Sequence, residues 1–229
     1  MDEKYLRPTP YLDWGHPAVS ELARSASEGA ATDRERAVRL YLRVRDDVRY
    51  DPYAVSLEPA ALTASATLER GRGFCVTKAI LYAAGLRALS IPSRLGFADV
   101  VNHLATERLR QMMRTEVFAF HGYTEVWLAG RWIKATPAFN ATLCAKFGTA
   151  PLDFDGVRDS MLQPHNARGD RFMEYLRDRG TFDDFSLEAM LDAWREVYPH
   201  FYTGEGALIG DFEAEAAGEH PPMSPARRS

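Results

Sequence analysis

Residues Cys75 to Leu89 read CVTKAILYAAGLRAL, with Val76, Ala79, Ile80, Ala83, Ala84, Leu86 and Ala88 spread around most of a helical circumference. A helix in water needs a polar face, so one that is apolar nearly all round has to be enclosed by other elements. No apolar run in the chain reaches the roughly 18 residues that span a bilayer, so the enclosure is expected from the chain itself. The 229 residues are enough for one sizeable core, or one core with an appendage. GRGF, Gly71 to Phe74, leads into this central helix, and SIP, Ser90 to Pro92, ends it.

The flanking sequence supplies candidate walls. A helix is predicted over about 17–28, where Val19, Leu22 and Ala23 share a face. A second begins after Thr32, with Glu35 placed for a capping box and Ala37, Val38, Leu40, Tyr41, Val44 and Val48 at helical spacing. RYDPY, Arg49 to Tyr53, breaks it, and 54–70 reads as loop and short helix capped at Thr63 or Ser65. SRLGFADVV, Ser93 to Val101, reads as a strand, followed by a polar loop or surface helix over 102–115. HGYTEVWLAGRWIKATPAF, from His121, reads as a hairpin turning at Ala129-Gly130. That turn sets Trp127 opposite Trp132, Val126 opposite Ile133, Glu125 opposite Lys134 and Tyr123 opposite Thr136, pairs of the kind that stabilise antiparallel strands. Glu125 and Lys134 read as a solvent-facing pair. Beyond Thr149, DFDG (Asp153 to Gly156) reads as a turn, helices are predicted near 168–179 and 186–197, and the tail from 213 lacks core-forming periodicity, as disordered segments do.

The formal charge of −4 gives no reason to expect nucleic acid or an anionic membrane as partner. The N-terminus lacks the charged-then-apolar pattern of a signal peptide, so a cytoplasmic location is expected. Cys75 and Cys144 are too few for a disulfide framework or a cysteine zinc site, and no cofactor or metal is expected.

Cys75 is therefore the residue to explain. At the first turn of a helix it faces unpaired N–H groups and the positive end of the dipole, which favour thiolate near neutral pH. Gly71 and Gly73 allow close approach of backbone to a substrate, and the Cys75 N–H can face a developing oxyanion. The position equally suits a small buried hydrophobe, the role of most free cysteines. A thiolate nucleophile needs a histidine held by a third group. His16, His165, His200 and His220 lie in loop-like or terminal contexts, and His103 has no neighbouring pattern. His121 starts the hairpin, and the register puts Thr136 diagonally beside it as the expected orienting group, although a strand-edge histidine and an ordinary strand threonine fit the same pattern. Arg94 reads as surface or structural, and Cys144 as structural.

GRGFCVTKAILYAAGLRALSIPSRLGF and HGYTEVWLAGRWIKATPAF resemble the two core motifs of the transglutaminase-like superfamily. The resemblance covers roughly 35–140 and implies an α+β, papain/transglutaminase-like core: a central buried helix packed against an antiparallel β-sheet, with N-terminal helices and a C-terminal helical extension. It implies a catalytic core over 1–149, an extension over 150–212 packed on it, and a tail over 213–229. It places the nucleophile at Cys75 and the general base at His121. Tyr50, in VRYDPY, lies where an aromatic or polar side chain can assist the oxyanion hole. The family's orienting Asp falls where this chain has Thr136, so Asn140, Asp99 and Asn102 are further candidates for that role. The expected activity is cysteine-dependent acyl transfer on a peptide or a small amide or ester, hydrolytic or transamidating. The alternative is a catalytically silent module that binds a peptide or partner protein. Neither substrate identity nor oligomeric state follows from these motifs.

Overall fold

The computed structural model describes residues 2–103, 105–162, 173–202 and 210–219. Its helices α1 (Pro17–Ala26) and α2 (Asp33–Asp47) follow the predicted spans closely. His16 Nδ1 caps α1 by accepting from the Ala18 N–H at 3.3 Å. Thr32 and Glu35 form the predicted capping box on α2. Strand β1 (Arg49–Tyr50) breaks away from α2 and pairs in parallel with β2 (Arg72–Gly73). Between them lies α3 (Ala64–Arg70), capped by Thr63 and closed by Gly71 at φ 65°.

Helix α4 (Cys75–Ala88) is the enclosed element the sequence called for: every residue from Val76 to Arg87 is buried, two cations included. Lys78 Nζ donates to the backbone carbonyls of Arg45, at 2.8 Å, and Val48, at the C-terminal end of α2. A cation there complements the negative end of that helix. Burial still pushes the Lys78 ammonium down to about 7. Arg87 donates to the carbonyls of Arg7, Ser93 and Asp183 at 2.8, 2.9 and 2.6 Å, tying the entry segment and two later connections to the helix.

The sheet on the other side of α4 contains β3 (Ser93–Asn102), β4 (Val117–Leu128), β5 (Arg131–Ala135) and β6 (Met173–Phe182) in the order β5-β4-β3-β6, antiparallel throughout. Helix α5 (Glu107–Met113) links β3 to β4, as the polar stretch suggested. The hairpin register is the one read from the sequence, from Leu128↔Arg131 through Trp127↔Trp132 and Val126↔Ile133 to Glu125↔Lys134. Ala129 and Gly130 both take positive φ, 50° and 84°, as a tight two-residue hairpin turn requires. The tryptophan pair meets edge to face at 5.3 Å. Glu125, however, does not face solvent. It is buried and bonds Arg94 on β3 at 2.5 Å, while Lys134 lies over the Tyr123 ring. A central strand offers its charge a partner on each side, and the guanidinium fork fits a carboxylate better than a lone ammonium does.

The C-terminal part departs most from expectation. After α6 (Ala141–Lys146), residues 173–179 belong to β6 rather than to a helix, and 168–172 lie outside the described residues. Most of β6 is exposed and Glu174, Arg177, Asp178 and Arg179 are charged, so its pattern carries little strand signal. Pairing with the open edge of β3 outweighs local propensity. Helix α7 (Leu187–Val197) matches its prediction. Helix α8 (Phe212–Glu219) occupies part of the expected disordered tail, because Phe212 packs against Tyr50 and Tyr53. Residues 220–229 lie outside the described residues. Among the described residues no helix is long and apolar enough to cross a membrane.

One contact brings the sheet onto the helix. A Cβ at Gly122 on β4 would lie 2.8 Å from the Val76 Cα, backbone against backbone. Gly122→Ala is expected to push β4 off the start of α4 and cost about 1–3 kcal/mol, as overpacking does. Urea denaturation of both proteins measures this, and an unchanged midpoint would refute the contact.

Candidate active site

Cys75 is the first residue of α4, after an N-cap, Phe74, that makes no side-chain cap. The backbone N–H groups of Gly122, Val76 and Cys75 itself act on its Sγ in favour of thiolate. Burial outweighs them and pushes the thiol up to about 11. This shift runs against the sequence expectation of thiolate near neutral pH, while the Cys75 residue itself is only partly buried. A helix terminus lowers a thiol pKa where the charge stays solvated, but at this dry end removing water from the anion costs more than the N–H groups return.

His121 precedes Gly122 on β4 and is opposite Ala98 on β3. Its placement depends on an irregularity. The β3–β4 register shifts between Ala98 and Val100, and Phe120 takes φ 62°, rare for a bulky residue. Asp99 holds this bulge: its Oδ1 accepts from the Phe120 N–H at 3.0 Å, and Arg179 on β6 grips the carboxylate at 2.6 and 2.8 Å. His121 is 4% exposed, its Nε2 has no hydrogen-bond partner among the described residues, and burial pushes the imidazole down to about 4.

The ring beside it belongs to Tyr175 on β6, edge to face at 6.4 Å. Its hydroxyl is also buried and makes no hydrogen bond of good geometry among the described residues. Burial pushes this phenol up to about 12, opposed by the nearby Leu162 N–H and Thr136 hydroxyl and reinforced by the Cys75 charge. Tyr175 escaped the sequence reading because its segment was assigned to a helix. An aromatic set in an alternating strand pattern could have revealed it, but the charges around it mask that pattern.

The proposed orienting residues occupy different places. Thr136 is buried just past β5, and its hydroxyl is 3.6 Å from the Met161 sulfur rather than bonded to His121. Asn140 accepts from the Tyr50 N–H at 2.9 Å and donates to Thr142 at 2.6 Å, which ties β1 to α6. Asp99 is held by Arg179 and the bulge. Tyr50 lies over the site: burial, and then the Cys75 charge, raise its phenol well above the usual range. Cys75, His121, Tyr50 and Asn102 line one cavity of about 660 Å³, its open mouth included.

The other described histidines, His16, His103 and His200, do not line this cavity. His16 caps α1, His200 Nε2 is 3.0 Å from the Met112 carbonyl, and His103 is 3.9 Å from the Glu174 carboxylate. His165 and His220 lie outside the described residues. Cys144 is buried in α6, where burial pushes its thiol up to about 11. Among the described residues no cluster of His, Cys, Asp or Glu could hold a metal ion. The DFDG segment is a turn in which Asp155 accepts from the Val157 and Arg158 N–H groups.

The low imidazole pKa links the site to stability. Between about 4 and the ordinary 6.5, the unfolded chain binds a proton at His121 that the folded chain does not. Stability from this group is therefore present above pH 6.5 and is lost as the pH falls towards 4, by on the order of 3 kcal/mol in all. His121→Gln is expected to remove this slope, leaving the carboxylate contributions in place. Chemical denaturation of both proteins at pH 7, 5.5 and 4 reads the difference, and parallel curves would contradict a buried neutral imidazole.

The sequence profile of the transglutaminase-like superfamily matches residues 20–137. No curated protein matches the chain. A solved structure from Cytophaga hutchinsonii, described as a candidate cysteine protease, is 16% identical with a TM-score of 0.46. The match covers 78% of this chain and 53% of that one, so the chain spans about half the length of that protein. With the profile covering just over half of its length, including both Cys75 and His121, the chain belongs to the transglutaminase-like superfamily.

Proposed function

We propose that this chain is a cysteine-dependent acyl-transfer enzyme that cleaves an amide or ester through a thioester on Cys75, with His121 as general base. The observation that carries the reading is Gly122. It follows His121 directly, packs on the start of α4 and turns its N–H on the Cys75 sulfur, so one backbone step joins nucleophile and base.

Burial keeps both partners neutral at rest, so the proton moves during attack rather than before it. As Sγ bonds to the carbonyl carbon, the thiol proton passes to His121. Negative charge then collects on the carbonyl oxygen, within reach of the N–H groups at the start of α4 and of Tyr50. The carbon–nitrogen or carbon–oxygen bond breaks, and the imidazolium protonates the leaving group. Water then attacks the thioester, gives a proton to His121 and releases the acid; the sulfur recovers its proton. Hydrolysis needs no second binding site, whereas transamidation needs one for an amine.

The unpaired His121 Nε2 favours a second reading, a silent module that retains the cleft and binds a peptide or partner. An imidazolium without a carboxylate or amide acceptor is less stabilised, which slows the chemistry. Incubation with a mixed amide and ester library followed by mass spectrometry separates the two readings. An acyl adduct confined to Cys75 is expected, absent in Cys75→Ser, and formed about 10²–10⁴-fold more slowly in His121→Gln. A library that binds without ever acylating Cys75 would leave the silent module.

A further inference from the structure

We infer that the cavity at Cys75 selects an uncharged, apolar acyl group, either a single aromatic ring or a short aliphatic chain. The inference rests on the thioester reading for its chemistry and on the cavity walls for its specificity. Among the described lining residues none is Asp, Glu, Lys or Arg. The walls include Phe74, Met113, Phe118, Phe139, Trp194 and Phe201.

Two of the polar side chains on these walls turn their polar atoms into the protein. Tyr198 Oη accepts from the Ala119 N–H at 2.6 Å and donates to the Val117 carbonyl at 2.9 Å. Trp194 Nε1 donates to the Ala119 carbonyl at 3.3 Å. Both side chains therefore hold the strand that carries His121 and leave their ring surfaces for the ligand. A charged acyl group would enter with no counter-ion and lose its water, at a cost no neutral wall offsets. The fold does gather charge nearby: Arg49, Asp51, Arg72 and Glu213 line a separate groove that meets the cavity only at Tyr50. The same dryness accounts for the resting neutrality of Cys75 and His121. The sulfur lies in the wall of this cavity, so an acyl group carried on it as a thioester has these apolar walls around it.

The test uses the full chain and amides of one fluorogenic amine carrying acetyl, butyryl, hexanoyl, phenylacetyl, succinyl and 6-aminohexanoyl groups. In parallel, the matching primary amides are tested as ligands of Cys75→Ala by thermal shift. The expected kcat/KM rises by about fourfold per methylene from acetyl to hexanoyl. Phenylacetyl should match or exceed hexanoyl, and succinyl and 6-aminohexanoyl should fall at least about a hundredfold below it. Met113→Glu should reduce the hexanoyl rate and raise that for 6-aminohexanoyl. The substrate series on the unaltered chain decides the matter if that variant does not fold. Turnover with succinyl or 6-aminohexanoyl equal to hexanoyl would overturn the inference and leave the thioester reading intact. Binding of the apolar amides to Cys75→Ala without turnover of any substrate by the unaltered chain would support the apolar cavity and remove the thioester reading. Absence of both would overturn both.

Discussion

The approach of β4 to the first turn of α4 organises this molecule. Gly122 lies close enough to the Val76 backbone that no side chain fits between them. That single contact buries the helix terminus, turns a strand N–H towards the Cys75 sulfur and carries His121 into the same cavity. The apolar circumference of α4 makes it stable, since a helix buried from Val76 to Arg87 has no other low-energy surroundings. Lys78 and Arg87, the cations caught inside, are satisfied by backbone carbonyls and bind the surrounding segments to it.

The same burial works against charge at the site. Three N–H groups favour a thiolate on Cys75, yet desolvation leaves the thiol well above its ordinary value, and the imidazole moves the opposite way. Each shift disfavours an ion pair at rest. Thr136, expected to orient the imidazole, instead has its hydroxyl 3.6 Å from the Met161 sulfur. Among the described residues three buried side-chain polar atoms lack a hydrogen bond: His103 Nε2, and His121 Nε2 and Tyr175 Oη on neighbouring rings. Unsatisfied buried polar groups are costly, and a neighbouring pair of them is more typical of a candidate functional region than of a packing core.

The late segments of the chain complete this environment. Arg179 on β6 grips Asp99, Asp99 holds the Phe120 N–H, and Phe120 sets the direction of His121. From α7 and the residues after it, Trp194 and Tyr198 fix the backbone of the same strand while closing the apolar wall. Residues far beyond the matched family region thus shape both the aim of the imidazole and the cavity that it serves.

The sequence by itself determined the buried helix and the hairpin register, because these rest on local patterns: a circumference of apolar residues, a two-residue turn and cross-strand pairs. Its expectations for Glu125, for 173–179 and for 213–219 gave way, since each depends on a partner distant in the chain: Arg94, the open edge of β3, and Tyr50 with Tyr53. Only the tertiary structure decided the protonation of the site and the neighbours of His121. A pKa depends on how much water the surrounding walls remove, and those walls come from seven separate elements, β1, α4, β3, α5, β4, β6 and α7, together with connecting segments. No local pattern in the chain records that sum.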